Sequence, residues 1–451
     1  MESEGAAGAG WSELISTAPN GSDLGGHRVR LGTVGNYTFA AEAFRPVLVL
    51  GPQRSYKTSG FAVPTLLEWS GPALVTSVRR DVLDHTYRHR AKAGQICVFD
   101  PSGSLRGTQY ERFRHSWDVL DHCRTWSDCV RTANALTEAR QLNALADGDF
   151  WGSLAAQLLA PHLFAAAAAG LPMRAVVQWI KAQEEPEVRS LLQGLDHPTA
   201  LASAEAAWQR DDRTKGSVYT TASSVLRIFD FDDVAVDEPP FLDVDSFLNS
   251  SGDTLYLCAP PDEQEEYRDL FTGLVRTVVR EAYARNTLVS DYKSDRSAAA
   301  VDGDLVHPKR ELTPLLMLLD EAGNIAPLKN LSTLATTAAG TYVQMVTIFH
   351  DLSQIEKVYG LYPARSIVSN HSAFVVLPGA RDDETLAYVE KLMRGESVAN
   401  AENSTWNGPR RIRGMERGTA LLIYENKRPV VLALRSRFTS ETIARWTKGA
   451  S

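Results

Sequence analysis

The 451-residue chain has little cysteine, and what it has follows no pattern. Cys97, Cys123, Cys129 and Cys258 form no C-x-x-C pair, and no histidine cluster joins them at zinc spacing. A patterned zinc site is therefore excluded, and reduced thiols in a cytosolic protein are expected. Cys97 and Cys258 sit in apolar runs and read as core. A basic excess is also missing, because 47 Lys and Arg face 55 Asp and Glu, for a net charge of −8. Bulk attraction to polyanions is excluded, so any contact with nucleic acid needs a local basic surface. Long apolar runs are missing too. The most apolar stretch, Leu154 to Leu171, is interrupted by Gln157, Pro161 and His162. A membrane span needs about 20 uninterrupted apolar residues, so this stretch reads as a buried helix and the chain as soluble. The N-terminus has neither the basic region nor the apolar core of a signal peptide. Residues 1–43 read as a flexible tail.

What the chain does have is short apolar runs bounded by turn residues. One block holds Val47–Leu50, Ala73–Thr76 and Ile96–Phe99. A second holds Leu255–Cys258, Leu315–Leu319, Met345–Phe349, Phe374–Leu377, Ala420–Tyr424 and Val430–Leu434. Runs this short and continuous suit strands buried on both faces. Helical patterns lie between several of them, which predicts a mostly parallel α/β sheet. From about Trp117 to Ile228 the strand signal stops, and Ala, Leu and Trp dominate. This predicts an all-helical insertion over residues 116–229. The α/β domain then comprises 44–115 and 230–440, with a C-terminal tail over 441–451. Asn286–Glu311, polar and rich in small residues, reads as a surface loop.

Two stretches carry chemistry. "VLVLGPQRSYKTSGF", Val47 to Phe61, has a strand, a glycine-started loop, Lys-Thr and a helix start in the order that a phosphate loop needs. Gly51, Pro52, Gln53, Arg54, Ser55, Tyr56, Lys57, Thr58 and Ser59 would line the phosphates of ATP, with backbone N–H groups facing them. Lys57 would reach the β/γ-phosphates, and the Thr58 hydroxyl would ligate Mg²⁺. Pro64 is expected to kink the following helix after about two turns. An ordinary strand-turn-helix carrying Lys-Thr is the plain alternative. "LLMLLDEAGN" is a buried run that delivers Asp320 and Glu321 at its end. An Asp there holds Mg²⁺, and an adjacent Glu orients or deprotonates the attacking water. The alternative is a strand leading into an acidic helix start. Together the two stretches predict a nucleotide site, with Gly51–Thr58 and Asp320-Glu321 at neighbouring strand ends.

With these motifs in order, and with the all-helical block and "FHDLSQIEKVYGLYPARSIVSNHSAFVVLPGARDDETLAYVEKLMRG" following suit, the chain resembles the TraG/TraD-like coupling proteins of type IV secretion and conjugation. The resemblance covers roughly residues 44 to 438. It implies a RecA/HerA-like P-loop NTPase sheet with an all-helical insertion, and a homo-oligomeric ring that hydrolyses ATP. It also implies DNA as a partner, single-stranded or in a relaxase complex, together with type IV secretion or conjugation components. Three departures fall in the active site. Tyr56 replaces the loop glycine, at a position where a side chain at positive φ costs on the order of 1–3 kcal/mol. His350 stands where the family's phosphate-sensing Gln is expected, and Gln354 keeps the second Gln. The trans-acting arginine expected near Gly340 is missing, with no arginine from Asp320 to Ala364. Arg365 and Arg381 are the candidates to replace it.

The family's membrane helices are not found ahead of the loop. A cytoplasmic protein is expected, with any membrane attachment delegated to a partner. Basic clusters at Arg79-Arg80, Arg88–Lys92 and Arg410–Arg413 are candidates for gripping DNA phosphates, or else solvated charge. Three readings follow: an ATP-driven coupling motor, a non-catalytic docking module, and an FtsK-like translocase that fits the sheet but not the helical block.

Overall fold

All nine apolar runs are strands, and three short strands join them from the N-terminal region. The structure, a computed structural model, describes residues 11–77, 80–143, 148–230, 240–260, 262–298, 312–397 and 412–449. The strands are β1 (Ile15–Ser16), β2 (Arg30–Val34), β3 (Tyr37–Ala40), β4 (Val47–Leu50), β5 (Ala73–Ser77) and β6 (Ile96–Phe99). They continue with β7 (Thr254–Cys258), β8 (Leu315–Leu319), β9 (Val343–Phe349), β10 (Ala373–Val376), β11 (Thr419–Tyr424) and β12 (Val430–Ala433). They form one 12-stranded sheet in the order β1-β3-β2-β12-β11-β10-β4-β9-β8-β5-β7-β6. From β10 to β6 the pairing is parallel. From β10 back to β1 it is antiparallel.

Alternation divides the strand side chains between two cores. Leu48 and Leu50 face the core shared with the helical block, and Val47 and Val49 face the opposite one. The helical block contains Trp126–Asn143, Gly148–Ala168, Met173–Ala182, Pro186–Gly194, Pro198–Trp208 and Asp212–Leu226, and no strand among the described residues. It docks on the helix Gln264–Ala298. A Cβ at Gly273 would lie 3.0 Å from Leu136 and 3.3 Å from Trp117, so the close approach there depends on glycine.

Three expectations are corrected. The expected flexible N-terminal tail instead forms β1 to β3, with Trp11 and Leu14 buried beside Phe39. Their strand signal is weak because the segments are short and only partly buried. The C-terminal tail holds a helix, Glu441–Thr447, whose Ile443 packs with Val63 and Leu67. The expected loop from Asn286 is helical up to Ala298, since neither Gly nor Pro interrupts it. Residues 299–311 lie outside the described residues. Among those described, no helix is long and apolar enough to cross a membrane.

Candidate nucleotide site

The phosphate-loop candidate follows β4. The Gly51 N–H donates to the Phe349 carbonyl at 3.1 Å. A Cβ on Gly51 would come within 2.5 Å of Ser55 Oγ and 2.8 Å of Leu377 Cδ1, so a side chain here would force both neighbours to shift. Arg54 (φ 62°) and Tyr56 (φ 71°, ψ 18°) both occupy the left-handed region. The backbone strain expected at Tyr56 is therefore present. Its half-buried ring packs against the apolar cluster on the Val47 and Val49 face. Gln53 and Arg54 are exposed, Pro52 and Ser59 are half-buried, and Ser55 is buried with its hydroxyl unpaired. Lys57–Ala62 winds as a π-helix, and Val63–Glu68 continues as an α-helix. Pro64 sits where the π-helical turns give way to the α-helix.

β4, β9 and β8 bring their carboxyl ends together in that order. The loop and the acidic pair are thus not on adjacent strands; β9 stands between them and delivers His350. Lys57, almost fully buried, donates to Glu321 Oε1 at 3.1 Å and meets His350 Nδ1 at 2.7 Å. An ammonium can only donate, so Nδ1 accepts and the ring proton resides on Nε2. Nε2 in turn lies 2.9 Å from Glu321 Oε2. The Thr58 hydroxyl donates to Asp320 Oδ2 at 3.2 Å. Gln354 does not reach this group directly. Its Oε1 accepts the His350 N–H at 2.8 Å, and its Nε2 donates to Asn324 Oδ1 at 3.1 Å. Asn324 then donates to Glu321 Oε2 at 3.1 Å.

Sequence reasoning missed Asn324 as a site residue, although it stands in the quoted "DEAGN" three places after Glu321. It also missed Thr76, whose hydroxyl holds the Asp320 carbonyl at 2.8 Å. Nothing local to Thr76 signals that role.

The two acids are driven apart. Burial first, and then the Glu321 charge, push the Asp320 carboxyl up to about 6. Burial also pushes Glu321 up, but the His350 hydrogen bond and the Lys57 charge outweigh it, so its carboxyl lies below the ordinary range. Asp320 Oδ1 is buried and without a hydrogen-bond partner. An orphaned carboxylate oxygen beside a threonine hydroxyl fits Mg²⁺, a hard cation that takes oxygen ligands. Among the described residues no three acidic, His or Cys side chains cluster to hold a metal by themselves. Mg²⁺ here would complete its shell with water and phosphate oxygens.

Arg365 and Arg381 are exposed, and neither bonds to this network. Arg90 is corrected as a DNA-gripping candidate. It is buried and donates to the carbonyls of Trp69, Gly71 and Gly252, a structural role. Arg80 pairs with Asp84 at 3.8 Å and Arg413 with Asp383 at 3.6 Å, both on the surface. Arg79, Arg410 and Arg411 lie outside the described residues.

Comparison with known proteins follows the same lines. The chain is 25% identical over 390 residues to the conjugal transfer protein TraG of Escherichia coli, covering 81% of this chain and 57% of that protein. It is 25% identical over 368 residues to the protein VirD4 of Rhizobium radiobacter, covering 80% and 49%. The chain thus spans about half the length of the curated relatives it matches. Among solved structures, the plasmid coupling protein TrwB in complex with a non-hydrolysable GTP analogue superposes with a TM-score of 0.63 at 18% identity, covering 87% of this chain and 86% of that one. TrwB in complex with ADP and Mg²⁺ gives 0.63 at 19%, with the same coverage. These likenesses show a shared P-loop NTPase fold. The family model for type IV secretory system conjugative DNA transfer matches residues 21–413, and the chain belongs to that family.

Proposed function

We propose that this chain is the nucleotide-binding motor part of a coupling protein, which uses ATP to engage DNA for type IV secretion or conjugative transfer. One observation carries the reading: Lys57 and Thr58 meet Asp320 and Glu321 from some 260 positions away in the sequence. Lys57 would leave Glu321 and His350 to bind the β/γ-phosphates. Thr58 and Asp320 would hold Mg²⁺, which neutralises charge on those phosphates. Glu321, held by His350 and Asn324, would orient the attacking water, and Gln354 braces both. The solved complexes of TrwB with ADP and Mg²⁺ and with nucleotide analogues support a nucleotide in this fold. A homo-oligomeric ring, a single-stranded or relaxase-bound DNA partner, and a cytoplasmic protein tethered through secretion components complete the proposal.

Calorimetric titration with Mg²⁺-ATP tests it. The parent chain should bind and Lys57→Ala should not, and single-stranded DNA should stimulate phosphate release. Equal heats for both proteins would sink the motor reading. A second reading, a docking module without hydrolysis, is favoured by the left-handed Tyr56 and by the lack of arginine from Asp320 to Ala364. Binding without phosphate release, with DNA present, would select it.

A further inference from the structure

The helical block meets the surroundings of the candidate site at a buried carboxylate that the nucleotide reading does not use. Glu138 lies on the helix Trp126–Asn143, and its side chain is 7% exposed. Its Oε2 accepts Arg276 Nε at 2.5 Å, from the helix Gln264–Ala298. Its Oε1 accepts the backbone N–H of Lys329, also at 2.5 Å. A carboxylate this far from water is costly unless its oxygens are bonded, and both are.

Lys329 ends a segment that begins at Glu321. Glu321 itself is left-handed, at φ 57° and ψ 43°, a conformation that a residue with a Cβ holds only when its surroundings impose it. The short helix Ala322–Ile325 follows. Within it Asn324 donates to Glu321 Oε2 at 3.1 Å, and the Asn324 carbonyl accepts Arg268 Nε at 3.1 Å, again from Gln264–Ala298. Ile325, Ala326 and Leu328 are buried in the core they share with Leu136 of the helical block. Apolar contacts of this kind are non-directional, so they hold the segment against the block without fixing its position along it. A hydrogen bond to a charged oxygen is stronger than a neutral one and directional. Glu138 therefore supplies the register that apolar packing does not.

We propose that Glu138 is a positioning residue through which the helical block sets the placement of Glu321. Its effect on turnover rests on the nucleotide reading above; its effect on geometry rests on the hydrogen bonds alone. A shift of the block carries the Lys329 backbone with it. Lys329 draws on the short segment back to Asn324, and Asn324 moves Glu321 Oε2. A macromolecule that leans on the block would thus change turnover without touching the nucleotide.

The test uses the full chain. Glu138→Ala removes both contacts. Glu138→Gln keeps the length and an acceptor for the Lys329 N–H, and Glu138→Asp keeps the charge but withdraws it by one methylene. Asp149→Ala, which breaks the surface pair of the block with Lys329 Nζ at 2.6 Å, is the control and should keep the parental rate. A misplacement of about 1 Å in a catalytic group costs on the order of 10²-fold. Phosphate release with single-stranded DNA present should therefore fall by about 10- to 100-fold in the alanine and aspartate variants, with Mg²⁺-ATP affinity unchanged, and most of it should return with glutamine. Placed in Glu321→Gln, Glu138→Ala should cost nothing further, because the group it positions is already gone. Equal losses of binding and release, or a glutamine variant no better than alanine, would make Glu138 a structural residue and overturn the proposal. So would losses that add in the double variant. A second readout needs no turnover. In ¹⁵N-histidine-labelled protein the His350 Nε2 resonance reports the contact with Glu321 at 2.9 Å. It should move in Glu138→Ala, or in Glu138→Asp should the alanine variant not fold, and stay in place in Asp149→Ala. An unmoved resonance would overturn the proposal even in an active enzyme. A parent chain that releases no phosphate would count against the motor reading and leave the resonance to decide.

Discussion

Replacing Tyr56 by glycine and by alanine should give stabilities in the reverse of their usual order. At φ 71° and ψ 18°, Tyr56 is left-handed, which costs a residue with a Cβ roughly 1–2 kcal/mol. Its ring is half-buried against the apolar cluster, so truncation forfeits about 1 kcal/mol of burial. Alanine loses the ring and keeps the strain, and should destabilise by about that 1 kcal/mol. Glycine loses the ring too but removes the strain, at an entropic cost of about 0.5–1 kcal/mol. The glycine variant should therefore be about 0.5–1 kcal/mol more stable than the alanine variant, whereas in ordinary helix or strand backbone it would be less stable by a similar amount. Urea unfolding of the two variants side by side, compared by midpoint at a shared slope, measures the difference. A glycine variant less stable than the alanine variant would refute the strain. In the proposed site, Tyr56→Gly should also tighten Mg²⁺-ATP binding, because the loop can close further on the phosphates.

Other outcomes follow from the same geometry. Glu321→Gln removes the charge partner of Lys57 and, in the proposed site, the group that orients water, so Mg²⁺-ATP should bind more tightly while phosphate release falls by about 10²-fold or more; release at the parental rate would remove Glu321 from the chemistry. Asp320, raised to about 6, must be ionised to hold Mg²⁺, so metal-dependent nucleotide binding should be lost as pH falls through about 6; a titration flat across that range would refute the assignment. For the ligand-free chain the sign is opposite: this group's contribution to stability is complete below its ordinary value of 3.8 and is lost as pH rises through about 6. Arg435 grips Glu68 with both terminal nitrogens, at 2.5 and 2.6 Å, and both side chains are nearly buried. Arg435→Ala should cost about 3–5 kcal/mol in urea unfolding by stranding the carboxylate, and Glu68→Leu combined with Arg435→Met should recover most of it.

The central sheet was legible because strands buried on both faces must be apolar throughout, as Val47–Leu50 and Leu315–Leu319 are. β1 to β3 were not, because short strands at the sheet margin need only a few buried residues and β2 is interrupted by Gly32. The helix beyond Asn286 carries no apolar stripe to announce it. In the site, Lys57-Thr58 and Asp320-Glu321 could be read because each is a local motif tied to a strand end. The placing of β9 between them could not be read. Strand order is a property of the whole sheet, and with it came the approach of His350 to residues nearly 300 positions away.

That placement changes what His350 means. In sequence it stood out only as a departure, a histidine where a glutamine is expected. In the structure it is a bridge, with Nδ1 meeting Lys57 and Nε2 meeting Glu321. An entering phosphate would have to take Lys57 from both partners. Glu321 would then lose one donor and keep two, His350 and Asn324. A carboxylate held in this way stays ionised below the ordinary range, which makes it a weak proton acceptor but a well-fixed hydrogen-bond acceptor. In the proposed site, this geometry suits Glu321 to orienting water rather than to deprotonating it. The same residue that departs from the family pattern is the one that fixes it there.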